Sequence, residues 1–277
     1  MSLVYLNGEF LPLEEARISV LDRGFTFGDG VYEVFLVYRR KIFRFSEHLQ
    51  RLNNSLAAIH MENPLSSDEW EKILSTLVEN NPAENQSLYL QVTRGVSERD
   101  HSINLPKMPT VFAMSKALPE RHLSEGIKAI TCEDIRWKLC YIKAITLLPS
   151  ILLRNQALEA GATEAILLRD NFVTEGAASN VFIVKEGLVK TPPKDGSLLP
   201  GITRDLIVEL MNREGIVCKE EKVTRDELLN ADEIWITSST WEIVPVIQLD
   251  NHSVGSGKPG KMWQKVNNIY QHFKSGI

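Results

Sequence analysis

One lysine stands out among the residues that could carry chemistry. Lys143 lies in the stretch WKLCYIKAITLLPSILL, residues 137–153, directly before a long apolar run. An unpaired ammonium is costly to remove from water, so a lysine here either extends its amine to solvent or holds it uncharged. An uncharged amine attacks carbonyl groups, so the second alternative predicts a nucleophile. Lys138 is a rival in the same stretch, but its more polar neighbours favour an ordinary solvated side chain.

Glu175 and two hydroxyl-bearing segments are further candidates. Glu175 lies in VTEGAASN, between a predicted strand and a turn of small residues. Thr203 in GITRD and the run 238–240 in WITSST adjoin regular elements, where hydroxyls and free helix amides suit a phosphate. Together with the lysine they match the needs of pyridoxal phosphate, which are an amine, an acid opposite the ring nitrogen and a phosphate cup. The same residues fit ordinary turns and helix caps equally well, so their types and spacing leave both interpretations open.

Composition and missing motifs exclude several other functions. The chain has 277 residues and a net charge of -5, which argues against binding to nucleic acid. It has no phosphate-loop, GxSxG or HExxH motif, and its three cysteines form no close pair of the metal-binding type, so no metal site is expected. There is no secretory leader pattern and no apolar run long enough to span a membrane. We therefore expect a cytoplasmic protein with reduced thiols.

The first half of the chain is predicted to contain hairpins and two amphipathic helices. Asn7-Gly8 suits the turn of a first hairpin, and a second hairpin is predicted in GVYEVFLVYRRKIFRF. Apolar residues at helical spacing follow candidate caps at Ser46 and Ser67. Strands are predicted at SLYLQVTRG and PTVFAMSK, with a loop between them.

The second half is predicted to mix strands and helices in the same way. A strand at GIKAITCEDIRW leads into the lysine stretch. Thr203 is a candidate cap for a helix predicted at TRDLIVELMNREG. TRDE, starting at Thr224, matches a capping box, and the chain closes with an amphipathic helix. A helix with Pro149 in its first turn is predicted from apolar residues at helical spacing. These are Leu148, Ile151, Leu152 and Leu158.

The order of these elements predicts an α+β protein of two lobes rather than a regular βαβ repeat. Residues 1–118 would form an N-terminal α/β lobe, and residues 119–125 a polar connection. Residues 126–277 would form a larger, β-rich C-terminal lobe that carries Lys143.

Ordered motifs over nearly the whole chain give a resemblance to a known family. They are DRGFTFGDGVYEVF, QVTRG, EDIRW, EAILLRDNFVTEG, SNVF, GITRD and TSSTWEIVPV. In this order they resemble the class IV pyridoxal-phosphate aminotransferases, and most closely the D-amino acid aminotransferases. The resemblance implies a fold-type IV enzyme that works as a homodimer with pyridoxal phosphate as its cofactor.

The resemblance also assigns roles to individual residues. Lys143 matches the Schiff-base lysine, and Glu175 matches the partner of the pyridine nitrogen. Tyr32, Arg99 and His101 match the group that holds the substrate α-carboxylate, on a loop that in this family crosses to the other subunit. The phosphate ligands are matched by Arg51, Ile202, Thr203, Ser239 and Thr240.

The sequence departs from close relatives near the cofactor. Ala177 and Ala178 stand where the D-amino acid enzymes often have two serines, and Tyr141 stands where an acidic residue is common. Both departures concern substrate identity rather than the lysine, the acid or the phosphate cup.

The function implied by the resemblance is transamination between a D-amino acid, such as D-alanine, and a 2-oxo acid. Three alternatives stay open at this point. They are a 4-amino-4-deoxychorismate lyase, a branched-chain L-amino acid aminotransferase, and a cofactor-free binding protein on the same scaffold. Tyr32, Arg99 and His101 favour the transaminase over the lyase, which generally lacks this combination.

Overall fold

The described residues form two compact units. A computed structural model describes residues 2–103, 108–119 and 123–277. The first unit contains the described residues of Met1–Pro119 together with Ile142–Leu147, and the second those of Glu120–Tyr141 and Leu148–Ile277. Residues 120–122 of the expected connection and residues 104–107 of the predicted loop lie outside the described residues.

The segment that carries Lys143 differs from the sequence-based expectation. That expectation assigned Lys143 to the C-terminal lobe, whereas Ile142–Leu147 belongs to the first unit. The backbone gives the reason, because the Tyr32 N–H donates to the Lys143 carbonyl at 3.0 Å and the Ile145 N–H donates to the Gly30 carbonyl at 3.1 Å. Such pairing joins residues more than 100 positions apart, so local periodicity does not reveal it.

The first unit is built on a six-stranded antiparallel sheet. Helix α2 packs on strand β3, and α3 packs on β1, β5 and β6, around a core of large apolar side chains. The strand order is β2-β1-β6-β5-β3-β4. The elements are β1 (Leu3–Leu6), β2 (Glu9–Pro12), α1 (Arg23–Phe27), β3 (Gly30–Tyr38), β4 (Lys41–Ile42), α2 (Phe45–Ala58), α3 (Ser67–Glu79), β5 (Gln86–Thr93) and β6 (Thr110–Ala117).

The turns of the first unit follow their residue types, but one helix cap does not. Asn7 and Gly8 have φ angles of 49° and 101° at the tip of the first hairpin, as the dipeptide predicts. Ser66 rather than Ser67 caps α3, with Glu69 completing a capping box. The predicted cap at Ser46 is wrong, because α2 already begins at Phe45 and has no side-chain cap.

The second unit is built on a nine-stranded mixed sheet. Its order is β12-β11-β10-β13-β14-β7-β8-β9, with β15 beside β14, and β7 runs parallel to both of its neighbours. The elements are β7 (Ile127–Glu133), α4 (Leu148–Glu159), β8 (Glu164–Arg169), β9 (Phe172–Gly176), β10 (Asn180–Lys185), β11 (Leu188–Thr191), α5 (Ile202–Arg213), β12 (Cys218–Glu220), α6 (Arg225–Leu229), β13 (Glu233–Ser238), β14 (Glu242–Leu249), β15 (His252–Ser253) and α7 (Lys261–Ser275).

Helix ends in the second unit confirm one prediction and correct another. Thr224 and Glu227 form the expected capping box at the start of α6. Thr203 does not cap α5, because the cap position is Gly201 and the helix has no side-chain cap at all. The cap position therefore supplies no side-chain acceptor for the first-turn amides of α5.

Helix α4 exists as predicted, but its apolar residues are not the ones that pack inside. Leu153 and Ala157 are buried against β7 and β8. The residues that predicted the helix are 54–66% exposed. They are Leu148, Ile151, Leu152 and Leu158. No helix among the described residues combines the length and apolar character that crossing a membrane requires.

A buried ion pair ties α2 to the sheet of the first unit. Glu33, fully buried on β3, accepts from Arg51 Nε at 2.7 Å and from Arg51 Nη2 at 2.9 Å. His48 Nδ1 lies 2.8 Å from the second carboxylate oxygen. Burial opposes ionisation, but the charge of Arg51 and the hydrogen bonds outweigh it, so the pKa of Glu33 lies far below its ordinary value. Burial lowers the pKa of His48 although Glu33 opposes this, which leaves a neutral imidazole beside the pair.

Replacing Glu33 by Gln should therefore destabilise the protein measured without added cofactor. The guanidinium of Arg51 would stay buried without its anion, and loss of one partner of a buried pair costs about 3–5 kcal/mol. Because the folded-state pKa of Glu33 is depressed, its contribution is complete above the ordinary pKa of 4.5 and is lost as the pH falls below it. The difference from the wild type in urea unfolding should accordingly be large at pH 7 and shrink in acid.

The matched control is Glu62→Gln, at an exposed position of the same unit. Equal unfolding midpoints for Glu33→Gln and Glu62→Gln at pH 7 would contradict a stabilising pair.

Candidate active site

Lys143 and Tyr32 come together in the first unit. The Lys143 amine lies 4.1 Å from the centroid of the Tyr32 ring, a distance at which an ammonium is attracted by the ring face. The Lys143 backbone is held on both sides, since its N–H donates to Ser55 Oγ at 3.2 Å and its carbonyl accepts from Tyr32. Lys143, which its apolar neighbours singled out, and Tyr32, which the family resemblance singled out, thus lie side by side.

The environment of Lys143 differs from a buried apolar run. Lys143 is half-buried, between the buried side chains of Ile142 and Ala144. Trp137 and Leu147, which made the stretch look buried, are 45% and 37% exposed. The lysine is therefore positioned by a tight turn, in which the Ala144 N–H donates to the Ile142 carbonyl at 2.8 Å, and by backbone pairing with β3, and not by burial in a helix core.

Arg51 is oriented by Glu33, a residue that the sequence analysis missed. Two of its nitrogens bind the two oxygens of that carboxylate, so the plane of the guanidinium is fixed. A sequence signal existed, because Glu33 occupies an inward position of β3 between Val31 and Phe35, both fully buried. An acid at such a position requires a buried partner, and His48 and Arg51 lie one turn apart on the facing helix α2.

Arg99 and His101 gather around one aromatic ring. The Arg99 guanidinium carbon lies 5.1 Å from the centroid of Phe27, and the His101 ring lies 5.5 Å from it. Arg23 lies 4.7 Å from the same ring and donates to the Asp100 carbonyl at 2.7 Å. The DRGF motif therefore supports the loop that carries Arg99 and His101.

The three residues predicted to hold the substrate carboxylate lie in two places in the first unit. Arg99 and His101 are exposed, whereas Tyr32 is half-buried beside Lys143. Within the described part of the chain, no hydrogen bond or ring contact joins Tyr32 to Arg99 or His101.

Glu175 lies in the second unit at the end of β9, and both of its carboxylate oxygens are engaged. Oε1 forms an ion pair with Arg136 Nη1. Oε2 accepts from Asn180 Nδ2 at 3.2 Å and from the Leu199 N–H at 3.1 Å. Burial raises the pKa of Glu175 to about 7, and the charge of Arg136 with these hydrogen bonds opposes the rise. Glu175 is thus a buried acid and not a solvated turn residue.

Arg136 and Asp134 are two further residues that sequence reasoning did not single out. They stand in the EDIRW motif directly after β7, where a charged pair follows a buried strand. Arg136 Nε and Nη2 each donate to one oxygen of Asp134 at 2.9 Å. Their burial together with Glu175 shows that this motif forms an ionic network.

The amino end of α5 lies next to the Glu175 network. A Cβ on Gly201 would come within 2.0 Å of Asn180 Oδ1, so only glycine permits this close approach. Ile202 and Thr203 are buried in the first turn, where the amides and the helix dipole favour an anion.

On the sheet face that carries Asn180, the described residues include a buried hydroxyl without a hydrogen-bond partner. Thr237 pairs directly with Asn180 across antiparallel strands, so the two side chains lie on one face. Thr237 Oγ1 is fully buried without a hydrogen-bond partner in the described part of the protein. Ser239 and Thr240 follow in the turn after β13 and are half-buried. Buried hydroxyls normally have a hydrogen-bond partner, and a polar ligand bound here would provide one for Thr237.

The departures from the D-amino acid enzymes lie on the second unit. Ala177 is buried and Ala178 is exposed, while the next hydroxyl, Ser179, donates to Glu164 at 3.0 Å. Tyr141 is 41% exposed. Within the described ranges, no cluster of His, Cys, Asp and Glu has the arrangement of a metal site.

The chain is similar to known proteins over most of its length. Residues 30–249 match the family described as amino-transferase class IV. The chain is 41% identical to the D-alanine aminotransferase of Bacillus licheniformis over 271 residues, which are 97% of this chain and 96% of that protein.

Solved structures show the same fold. The branched-chain amino acid aminotransferase of Escherichia coli superposes with a TM-score of 0.91 at 28% identity, covering 98% of this chain and 94% of that one. The branched-chain aminotransferase of the thermophilic archaeon Thermoproteus uzoniensis, solved with norvaline, gives 0.91 at 26% identity, covering 98% and 94%. The predicted α+β, fold-type IV architecture is therefore confirmed. Since the family match spans most of its length and a relative is 41% identical over nearly all of it, the chain belongs to the class IV aminotransferases.

Proposed function

We propose that the enzyme transfers the amino group of a D-amino acid, such as D-alanine, to a 2-oxo acid, with pyridoxal phosphate as its cofactor. The observation that carries this proposal is the 41% identity to a D-alanine aminotransferase over 97% of the chain. The two branched-chain aminotransferases that share the fold are 28% and 26% identical, so sequence similarity favours a D-amino acid over a branched-chain L-amino acid.

The residues present fit pyridoxal phosphate. The first unit offers an amine at Lys143, and the second offers a buried acid at Glu175. The uncapped amino end of α5 suits the phosphate of such a cofactor, and so does the hydroxyl of Thr237, which has no partner among the described residues. In this assignment the phosphate ligands are Arg51, Ile202, Thr203, Ser239 and Thr240.

Each catalytic side chain has a task that its surroundings support. Bound pyridoxal phosphate supplies an aldehyde that joins covalently to amines and a ring that accepts electrons from an amino acid. Lys143 would hold the cofactor and would then carry the substrate α-proton, for which a half-buried amine on a fixed backbone is well placed. Tyr32 lies against that amine and limits the directions in which it moves. Glu175 would accept a hydrogen bond from the ring nitrogen of the bound cofactor and would favour the protonated form of that nitrogen.

Substrate orientation is assigned to Tyr32, Arg99 and His101. A guanidinium matches a carboxylate in shape and charge, and the phenol and imidazole add donors. The exposure of Arg99 and His101 is consistent with service to the site of a second subunit. The 4-amino-4-deoxychorismate lyase remains the second candidate reaction, because Ala177, Ala178 and Tyr141 alter the residues around the proposed cofactor.

A half-reaction tests the proposed substrate. The protein is loaded with pyridoxal phosphate and mixed separately with D-alanine and L-leucine, while the visible band of the bound cofactor is followed. D-alanine should remove the band and release pyruvate, because its amino group passes to the cofactor. Loss of the band with L-leucine alone would contradict the assignment of the carboxylate group. If neither amino acid changes the band, 4-amino-4-deoxychorismate is tested next, and its conversion would establish the lyase.

Replacing Lys143 by Ala should abolish transamination. Loss of a general acid–base group lowers rates by about 10²–10⁴-fold, and here the covalent attachment of the cofactor is lost as well. Turnover is measured with and without an added small amine. The control is Lys138→Ala, since Lys138 is exposed and should leave activity unchanged. Substantial turnover of Lys143→Ala without added amine would defeat the assignment.

We further propose that the enzyme is a homodimer and that α4 contributes to the interface. Four large apolar residues of this helix are exposed, and a face of this kind marks an interaction surface. A second copy of the chain is the partner that the class IV resemblance implies.

Introducing charge into this face should dissociate the dimer. Light scattering coupled to gel filtration should give twice the chain mass of 31.3 kDa for the wild type, and a mass near one chain for Ile151→Glu/Leu152→Glu. Lys265→Glu, on the exposed side of α7, should stay dimeric. A wild type that binds the cofactor as a monomer would overturn the dimer.

A further inference from the structure

Arg136 connects two buried carboxylates of the second unit. Its Nε and Nη2 atoms bind both oxygens of Asp134 at 2.9 Å, and its Nη1 atom pairs with Glu175 Oε1. Because Asp134 binds one edge of the guanidinium, the orientation of the whole group is fixed. In this orientation the remaining nitrogen, Nη1, points toward Glu175.

Asp134 is itself held so that it does not rotate. Its side chain is fully buried, and its second oxygen accepts from Thr174 Oγ1 at 2.9 Å and from Arg169 Nη2 at 2.9 Å. Its first oxygen also accepts from the Arg136 backbone N–H at 3.1 Å. Asp134 therefore acts as a rigid support for Arg136, and the position of the guanidinium is set before any ligand arrives.

The two oxygens of Glu175 have chemically different partners. Oε1 faces the cation of Arg136, whereas Oε2 accepts from the neutral donors of Asn180 and Leu199. A cation in contact with a carboxylate lowers its basicity, while burial raises it. The other titratable groups near Glu175 are Asp134, whose charge opposes ionisation of Glu175, and the buried thiol of Cys140.

We propose that Arg136, supported by Asp134, is a positioning residue that keeps Glu175 ionised and oriented, so that a proton shared with the cofactor's ring nitrogen stays on the nitrogen. This role rests on the proposed function, because it concerns the same cofactor. When Arg136 contacts Glu175 it makes the carboxylate a weaker base, and the shared proton then remains with the pyridine. Without Arg136 the carboxylate takes the proton, and the ring becomes a poorer electron acceptor.

Arg136→Met tests this role, with nitrogen NMR of bound ¹⁵N-labelled pyridoxal phosphate as the readout. At neutral pH the wild type should show a protonated ring nitrogen, and Arg136→Met a neutral one. The dissociation constant of the cofactor should rise about 10- to 100-fold, as expected for loss of a charge-supported hydrogen bond. Arg136→Lys keeps the charge and should restore much of the protonated signal.

Arg169→Met is the matched control. Arg169 also binds Asp134 at 2.9 Å, but its hydrogen bonds go to Asp134, two backbone carbonyls and Cys140 rather than to Glu175. A merely structural role of the network would give the two methionine variants the same nitrogen signal, and that result would overturn the proposal. Should Arg136→Met not fold, Arg136→Gln keeps a donor for Asp134 and is compared with Arg169→Gln in the same way.

A double variant shows whether Arg136 affects cofactor binding through Glu175 or through a general loss of structure. Arg136→Met/Glu175→Gln should bind the cofactor no more weakly than Glu175→Gln alone, because Arg136 acts through Glu175. Additive losses would contradict this. Failure of the wild type to bind pyridoxal phosphate at all would refute the proposed function instead, so the two failures are distinguishable.

Discussion

A carboxylate that is removed from water must be matched by a cation and by hydrogen-bond donors, and this constraint shapes both units. In the first unit Glu33 is enclosed by Arg51 and His48. In the second, Glu175 is enclosed by Arg136 and neutral amides. An unpaired charge at either place would be strongly destabilising. The strands and helices that carry the partners must therefore pack so that each buried carboxylate meets its cation and its donors.

The two pairs differ in their balance of burial and charge. Both oxygens of Glu33 meet one guanidinium, so attraction outweighs burial and the pKa of Glu33 falls. Only one oxygen of Glu175 meets a guanidinium, which is shared with Asp134, so burial prevails and the pKa of Glu175 rises to about 7. A carboxylate poised in this way responds to a ligand that brings a hydrogen-bond donor, whereas the Glu33 pair is a fixed part of the fold. The difference separates a pair that ties α2 to its sheet from a pair whose acid we propose as the partner of the cofactor's ring nitrogen.

Local signals in the sequence predicted much of this structure, and long-range pairing limited the rest. The Asn7-Gly8 turn and the Thr224 capping box depend on neighbouring residues only, and both are confirmed. The class IV motifs predicted Lys143 and Glu175 as site residues, and those assignments stay predictions. Arg136 was missed because its partner lies 39 positions away, a separation that no periodicity encodes. The same limit explains why Lys143 was assigned to the wrong lobe, since β3 and not its chain neighbours determines where it packs.

Helix α4 shows a further limit of hydrophobic periodicity. Periodic apolar residues predict a helix with an apolar side, but they do not say whether the same chain covers that side. Here Leu153 and the small Ala157 face the sheet, and four other Leu and Ile side chains remain outside. Full burial of such a side chain contributes roughly 1.5–3 kcal/mol, and these four are 54–66% exposed, so covering them contributes roughly 3–8 kcal/mol. Bringing two molecules together costs roughly 4–15 kcal/mol. An isologous contact uses the same face twice, so the gain doubles while the association cost is incurred once. A different protein would need a complementary apolar face of its own to give the same gain, whereas a second copy carries one by symmetry, which is why we propose the second copy as the partner.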